Sequence, residues 1–249
     1  MKLLLLLKRR SFTQAYHKTD TIQDYQRIFG KNHYPFIGFA DMFQDGIFGT
    51  AILSKYPMET KDLSDHGRAL VRANIALPNG KKLAVDGIHL TPNIDNKNGK
   101  REFYGYRNSR DKAKWLRDKT GINRGLYIVA GDLNALSPED KYEKDELLTG
   151  YRIFIPDEES ARWLLNENLK GEEIKAILGN GSVDTYKSLH PTKPGYTLPT
   201  KIGGDKRSSS RIDYIFTSPD IIIKGAGVIR TPDTEIASDH YPIFAEISL

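Results

Sequence analysis

The apolar residues of this 249-residue chain come in runs of strand length, and three of those runs stand beside a short polar motif carrying a carboxylate. The motifs are Gly131-Asp132-Leu133-Asn134, Arg211-Ile212-Asp213-Tyr214 and Ser238-Asp239-His240. None of the runs is long enough to cross a bilayer, so they have to assemble as sheets with these motifs at the strand ends. Three carboxylate-bearing edges that converge describe a metal-assisted hydrolytic site rather than a decorated surface.

The runs have recognisable partners. Ala69 to Leu77 alternates loosely and stops at Pro78-Asn79-Gly80, a turn signal, and Leu83 to Leu90 follows as its hairpin partner. Ile47 to Tyr56, around Ala51-Ile52-Leu53, stops at Pro57, and Leu126 to Ala130 has the composition of a buried strand. Ile212 to Phe216 and Ile243 to Leu249 alternate with period two. Between them Ser109 to Lys119 predicts a charged helix with Ala113, Trp115 and Leu116 as its apolar stripe and Gly121 as its stop. Glu158 to Asn168 and Glu172 to Leu178 predict a second helical region closed by Gly179-Asn180-Gly181. Hairpins exclude a purely parallel sheet, so the expected fold is α/β (α+β), a two-sheet sandwich flanked by helices. The apolar core of Met1 to Arg10 is too short for a signal sequence and is expected as a strand or a frayed terminus.

The net charge of +5 favours an anionic partner: nucleic acid, a phosphate ester or an anionic membrane surface. The absence of cysteine excludes disulfides, thiolate catalysis and Cys-type zinc sites.

Each motif has its own chemistry. Gly131 permits a tight exit from the strand, and Asp132 and Asn134 then fall on one side; the alternative is an Asx turn. His240 titrates near neutrality and is the natural proton carrier, with Asp239 free to face a metal; the alternative is an ordinary surface pair. Asp213 sits inside an apolar strand, where a carboxylate is costly unless paired. The expected partner is His240, in a carboxylate–imidazole dyad; the alternative is an ion pair with an arginine. His89 closes the strand Val85-Asp86-Gly87-Ile88-His89 and joins the candidates.

Cations surround these motifs. Lys97, Lys100, Arg101, Arg107, Arg110, Lys112, Lys114 and Arg117 are interleaved with Phe103, Tyr104 and Tyr106. This segment would track a phosphate backbone and stack bases, or else form a solvated loop and helix face. Lys201, Lys206, Arg207 and Arg211 flank a Gly/Ser-rich loop within reach of a phosphate. Asp65-His66 has no apolar strand directly after it and is set aside.

In order along the chain, this motif set resembles the endonuclease/exonuclease/phosphatase superfamily, the DNase I-like fold. The matching stretches are Gly49 to Pro57, Ile88-His89-Leu90, Gly131 to Asn134, Val183-Asp184-Thr185 with Tyr196-Thr197, Arg211 to Phe216, and Ser238 to Pro242. The resemblance implies one domain over residues 1–249, a four-layer sandwich of two mixed, mainly antiparallel sheets flanked by helices. It implies phosphoester hydrolysis with Mg²⁺ or Mn²⁺. Asp132 and Asn134 would contact the reacting phosphate and its water, Asp239 and Asp132 the metal, and His240 would be the catalytic histidine held by Asp213. Arg101, Arg107 and Arg211 are the expected substrate-binding cations. His89 matches the DNase-like and sphingomyelinase-like branches, whereas Val183 to Tyr186 and Tyr196 to Thr200 look more like the abasic-site nuclease branch.

The resemblance also implies a strand ending in Gln-Glu, the Glu being the principal metal ligand. Leu6 and Leu7 stand roughly there instead, so the domain reads as N-terminally short. Asp41 and Asp45 are poor replacements. The expected activity is a nuclease acting on nucleic acid, in a cytoplasmic monomer. The alternatives are a sphingomyelinase-like or small-molecule phosphoesterase, and an inactive or truncated phosphate-binding homologue.

Overall fold

A computed structural model describes residues 2–5, 34–41, 49–65, 68–92, 108–120, 125–155, 157–202 and 208–249. Its central sheet is built on the hairpin that Pro78-Asn79-Gly80 turns. Gly80 takes φ +79° and donates its N–H to the Leu77 carbonyl at 3.0 Å. The two arms, β5 (Arg68–Ala76) and β6 (Lys82–Leu90), pair antiparallel along their whole length. β4 (Met58–Asp62) adds outside β5, and β7 (Tyr127–Asp132) lies parallel to β6. β9 (Asp213–Thr217) runs antiparallel to β7 and carries β8 (Val183–Asp184) on its far edge. The strand order is β4-β5-β6-β7-β9-β8. The parallel β6–β7 step needs a long crossover, which holds α1 (Ser109–Lys119).

Side chains alternate across this sheet, so it builds two cores. Val71, Ala73, Val85, Ala130 and Ile215 face a layer of strands. That layer comprises the hairpin β2 (Phe36–Asp41) with β3 (Gly49–Ser54), and a second antiparallel sheet. The second sheet orders β1 (Lys2–Leu5), β11 (Ile243–Ser248) and β10 (Ile222–Val228) as β1-β11-β10. On the opposite face Leu70, Ile88, Val129 and Phe216 pack on Trp115 and Leu116 of α1 and on Ile174 and Ile177 of α4 (Glu172–Leu178).

This is the mixed α/β sandwich that the sequence implies, with two differences in detail. Among the described residues the only parallel pair is β6–β7, and the facing layer is wholly antiparallel in its two pieces. β9 also departs from its expected alternation: all five residues are buried, because it lies inside the sheet with both faces covered.

α2 (Lys144–Phe154) and α3 (Glu158–Lys170) share a small core with Leu136. α5 (Thr185–Leu189) follows β8, with Asp184 accepting from the Tyr186 and Lys187 N–H groups. α6 (Pro232–Ala237) starts at a Thr231–Thr234 capping box. No described helix is long and apolar enough to cross a membrane.

Candidate active site

β6 and β7 finish, and β9 begins, at the same edge of the sheet. There His89 lies opposite Asp132, and Asp132 opposite Asp213. Asp132 keeps the parity of Ile128 and Ala130, and Asp213 that of Ile215. Both carboxylates therefore lie on the face that meets the opposing strands. The Ser238 to Pro242 lead into β11 brings a histidine onto this row from the other layer. His240 Nδ1 lies 2.8 Å from Asp213 Oδ2. Asp132, Asp213 and His240 offer ligand atoms that all lie within 4.8 Å of one another, and all three residues are buried. His89 Nε2 stands 3.6 Å from Asp132 Oδ2.

The electrostatics follow from this crowding. Burial alone would lower the His240 pKa. Its charge pairing and hydrogen bond with Asp213, reinforced by the charges of Asp132 and Asp239, overcome that and raise it to about 9. With Nδ1 committed to Asp213, Nε2 is the ring atom left for chemistry. It is buried and makes no hydrogen bond within the described residues, and the same holds for Asp213 Oδ1.

Local sequence explains why Asp132 can sit there. Gly131 takes φ +151°, and a Cβ at this position would lie 1.8 Å from the Ile88 carbonyl oxygen, so only glycine lets β7 pass β6 so closely. Asn134, at φ +43°, donates its N–H to Asp132 Oδ1 at 2.8 Å, and its Nδ2 to the Leu90 carbonyl at 2.6 Å. The Asx turn is therefore present, and it is the device that brings Asn134 back beside Asp132. Asp239 is 8% exposed and close enough to act on His240.

A strap that the sequence reading used only as a branch marker ties the dyad together. Tyr241 donates its N–H to the Thr197 carbonyl at 2.7 Å, and Ile212 donates its N–H to Thr197 Oγ1 at 3.3 Å. Thr200 Oγ1 donates to the Ser238 carbonyl. Thr197 and Thr200 thus clamp the segments that carry Asp213 and His240. A threonine in a loop has no sequence signal for such a role.

Arg211 requires a correction. Expected at the substrate, it is 2% exposed and points into the protein, with Nε 2.8 Å from Asp140 Oδ2 and Nη1 2.7 Å from Asp184 Oδ2. Its guanidinium also lies over the Tyr214 ring, 4.5 Å from the centroid. Burial lowers its pKa, but the charges of Tyr214, Asp184 and Asp140 prevail and raise it. A cation held between buried acids is structural; its position just before an apolar strand was the overlooked sign. Lys112, placed in the phosphate-tracking segment, is likewise fully buried, whereas Arg110, Lys114 and Arg117 are exposed on α1. Lys201 pairs with Glu235 at 2.6 Å. Arg101, Arg107, Lys206, Arg207, Leu6, Leu7, Asp45 and His66 lie outside the described residues. Asp41 closes β2 and is not part of the Asp132–Asp213–His240 cluster.

Comparison with known proteins agrees with this architecture. The model of the endonuclease/exonuclease/phosphatase family matches residues 9–240. No curated protein matches the chain. Among solved structures, an endonuclease/exonuclease/phosphatase from Beutenbergia cavernae aligns with a TM-score of 0.56 at 17% identity, over 91% of this chain and 57% of that one. This chain thus spans little more than half of that protein. A Neisseria 3′ phosphatase, NExo, solved with its product DNA hairpin, aligns at 0.55 and 16% identity, over 93% of this chain and 95% of that one. The mannosyl-6-phosphatase of Bacteroides thetaiotaomicron aligns at 0.52 and 17% identity, over 88% of this chain and 79% of that one. At these identities the likeness is one of fold.

Proposed function

The chain belongs to the endonuclease/exonuclease/phosphatase family, whose members are phosphoric-ester hydrolases, and from that premise we propose that it is a divalent-metal-dependent phosphodiesterase acting on nucleic acid. The observation that carries this reading is the buried row His89–Asp132–Asp213 with His240 seated on Asp213 at 2.8 Å.

The donor set suits a hard cation. Asp132 and Asp239 are buried carboxylates whose charges both act on His240, and Mg²⁺ sites use one or two carboxylates with waters and substrate phosphates completing the shell. Asp239 and Asp132 would hold Mg²⁺ or Mn²⁺, which when bound supplies positive charge against the reacting phosphate.

The protein's own groups move the protons. Where the ring is neutral, above about pH 9 in the metal-free protein and at lower pH where a bound cation would offset the neighbouring carboxylates, His240 Nε2 takes a proton from the water that attacks phosphorus, and Asp213 stabilises the imidazolium that results. Asp132, beside it, orients that water. The P–O ester bond breaks as the new P–O bond forms, and His89 donates a proton to the leaving oxygen. Asn134 contacts a non-bridging phosphate oxygen. The basic charge of the chain and the exposed Arg110, in the helix turn whose Lys112 reaches the Thr91 and Asn134 carbonyls, favour a polyanionic substrate. Arg101 and Arg107 belong to the same proposed surface.

Purified protein with Mg²⁺ should hydrolyse DNA or RNA in preference to sphingomyelin or a small phosphomonoester in parallel assays. His240→Ala should lower the rate by about 100- to 10,000-fold, the usual worth of a positioned acid–base group. An unchanged rate in that variant would remove His240 from the mechanism, and a preference for the small ester or the lipid would replace the substrate.

A further inference from the structure

We infer that Lys112 is a positioning residue for the phosphate-facing loops. Its buried ammonium sets the spacing between the ends of β6 and β7, and so the place of Asn134. This rests on the reading of Asn134 as a phosphate contact.

Lys112 lies on α1, behind the row of His89, Asp132 and Asp213, and its side chain has no exposed surface. Nζ donates to the Thr91 carbonyl at 3.3 Å and to the Asn134 carbonyl at 3.2 Å, and it faces Glu173 Oε1 at 3.0 Å. Two of its N–H groups thus meet carbonyls, and the carboxylate balances the charge as an ion pair. Thr91 stands two residues beyond His89, and Asn134 two beyond Asp132. The two carbonyls therefore belong to the exits of neighbouring parallel strands, and one cation joins them. Asn134 Nδ2 spans the same gap to the Leu90 carbonyl. The loop with the left-handed Asn134 backbone is thus held by its main chain and its side chain together.

The counter-charge is equally deliberate. Glu173, at the start of α4, is 0% exposed; its second carboxylate oxygen accepts from Ser109 Oγ. A fully buried ion pair is poor value for stability, since apolar residues of the same volume often serve as well or better. An apolar side chain, however, cannot tie two carbonyls together. That asymmetry separates positioning from packing.

The experiment uses two variants, Glu173→Gln and the double variant K112M/E173L, each measured for melting temperature, kcat, KM and solvent exchange of the Asn134 side-chain amide by NMR. The double variant should melt near the wild type, lose about 10- to 100-fold in kcat with KM barely changed, and exchange its Asn134 amide faster. Glu173→Gln keeps the Lys112 contacts and should melt lower while kcat holds. A double variant that keeps kcat and Asn134 protection overturns the proposal. So does a Glu173→Gln variant whose kcat falls in step with its melting temperature, and that arm decides if the double variant does not fold. A wild type with no hydrolysis would sink the proposed function, while Asn134 exchange would still judge the role of Lys112.

Discussion

Asp213 and His240 show how much one buried pair fixes. The dyad was legible in the sequence because a lone carboxylate in an apolar strand demands a partner, and His240 was the nearest chemistry able to supply one. Its consequence for pH was not legible, since that depends on how many charges crowd the ring. The His240 pKa is about 9 in the folded protein against 6.5 in an unfolded chain. A raised pKa means that the stability from protonated His240 is complete below pH 6.5 and is lost as pH rises through about 9. In EDTA, the stability gap between wild type and Asp213→Asn should therefore be widest at acid pH and narrow across that window. His240 in the variant should also titrate at lower pH by NMR. A gap that widens with pH would contradict the assignment. Arg211 is the opposite case: its charge suggested a substrate contact, and burial between Asp140 and Asp184 turned it into an internal tie.

Elements were readable in proportion to their periodicity. The hairpin of β5 and β6 and the helix α1 fall where turn chemistry and the apolar stripe placed them, because those signals are local. β4 is Met-Glu-Thr-Lys-Asp, an exposed edge strand with no apolar face, and β10 is broken by Gly225 and Gly227. Such strands exist because a neighbour offers hydrogen bonds, which no local pattern announces. α2 was likewise missed, although its Leu147 and Leu148 pack into a core shared with α3. The exit of β7 gives a sharp test at this scale. Gly131→Ala would set a methyl 1.8 Å from the Ile88 carbonyl and strain a φ of +151°. Denaturant unfolding should show a loss of about 3 kcal/mol or more, the range of large strain and overpacking effects. A change below about 1 kcal/mol would mean that β6 and β7 can part without cost.

At the scale of the molecule, the site exists only where two layers meet: β6, β7 and β9 give one wall, and the lead into β11 gives the other. A cation held across that seam should tie the layers together. Millimolar Mg²⁺ or Mn²⁺ should raise the wild-type melting temperature, by the equivalent of about 2.7 kcal/mol at a hundredfold excess over Kd. Asp239→Asn should abolish most of the shift, and an absent shift in the wild type would mean that the pocket holds no such ion. The sequence by itself determined the strand-rich class, the central hairpin and the residue types of the site, since turn chemistry, periodicity and the cost of a buried charge all act within a few residues. Tertiary structure decided which groups meet. It brought Asp132 beside the expected Asp213–His240 pair, drew Arg211 and Lys112 inside as buried ties, and gave Thr197 and Thr200 their clamp. Those outcomes depend on register between strands and on contacts across the sandwich, which separate residues far apart in the chain from partners only the folded layers supply.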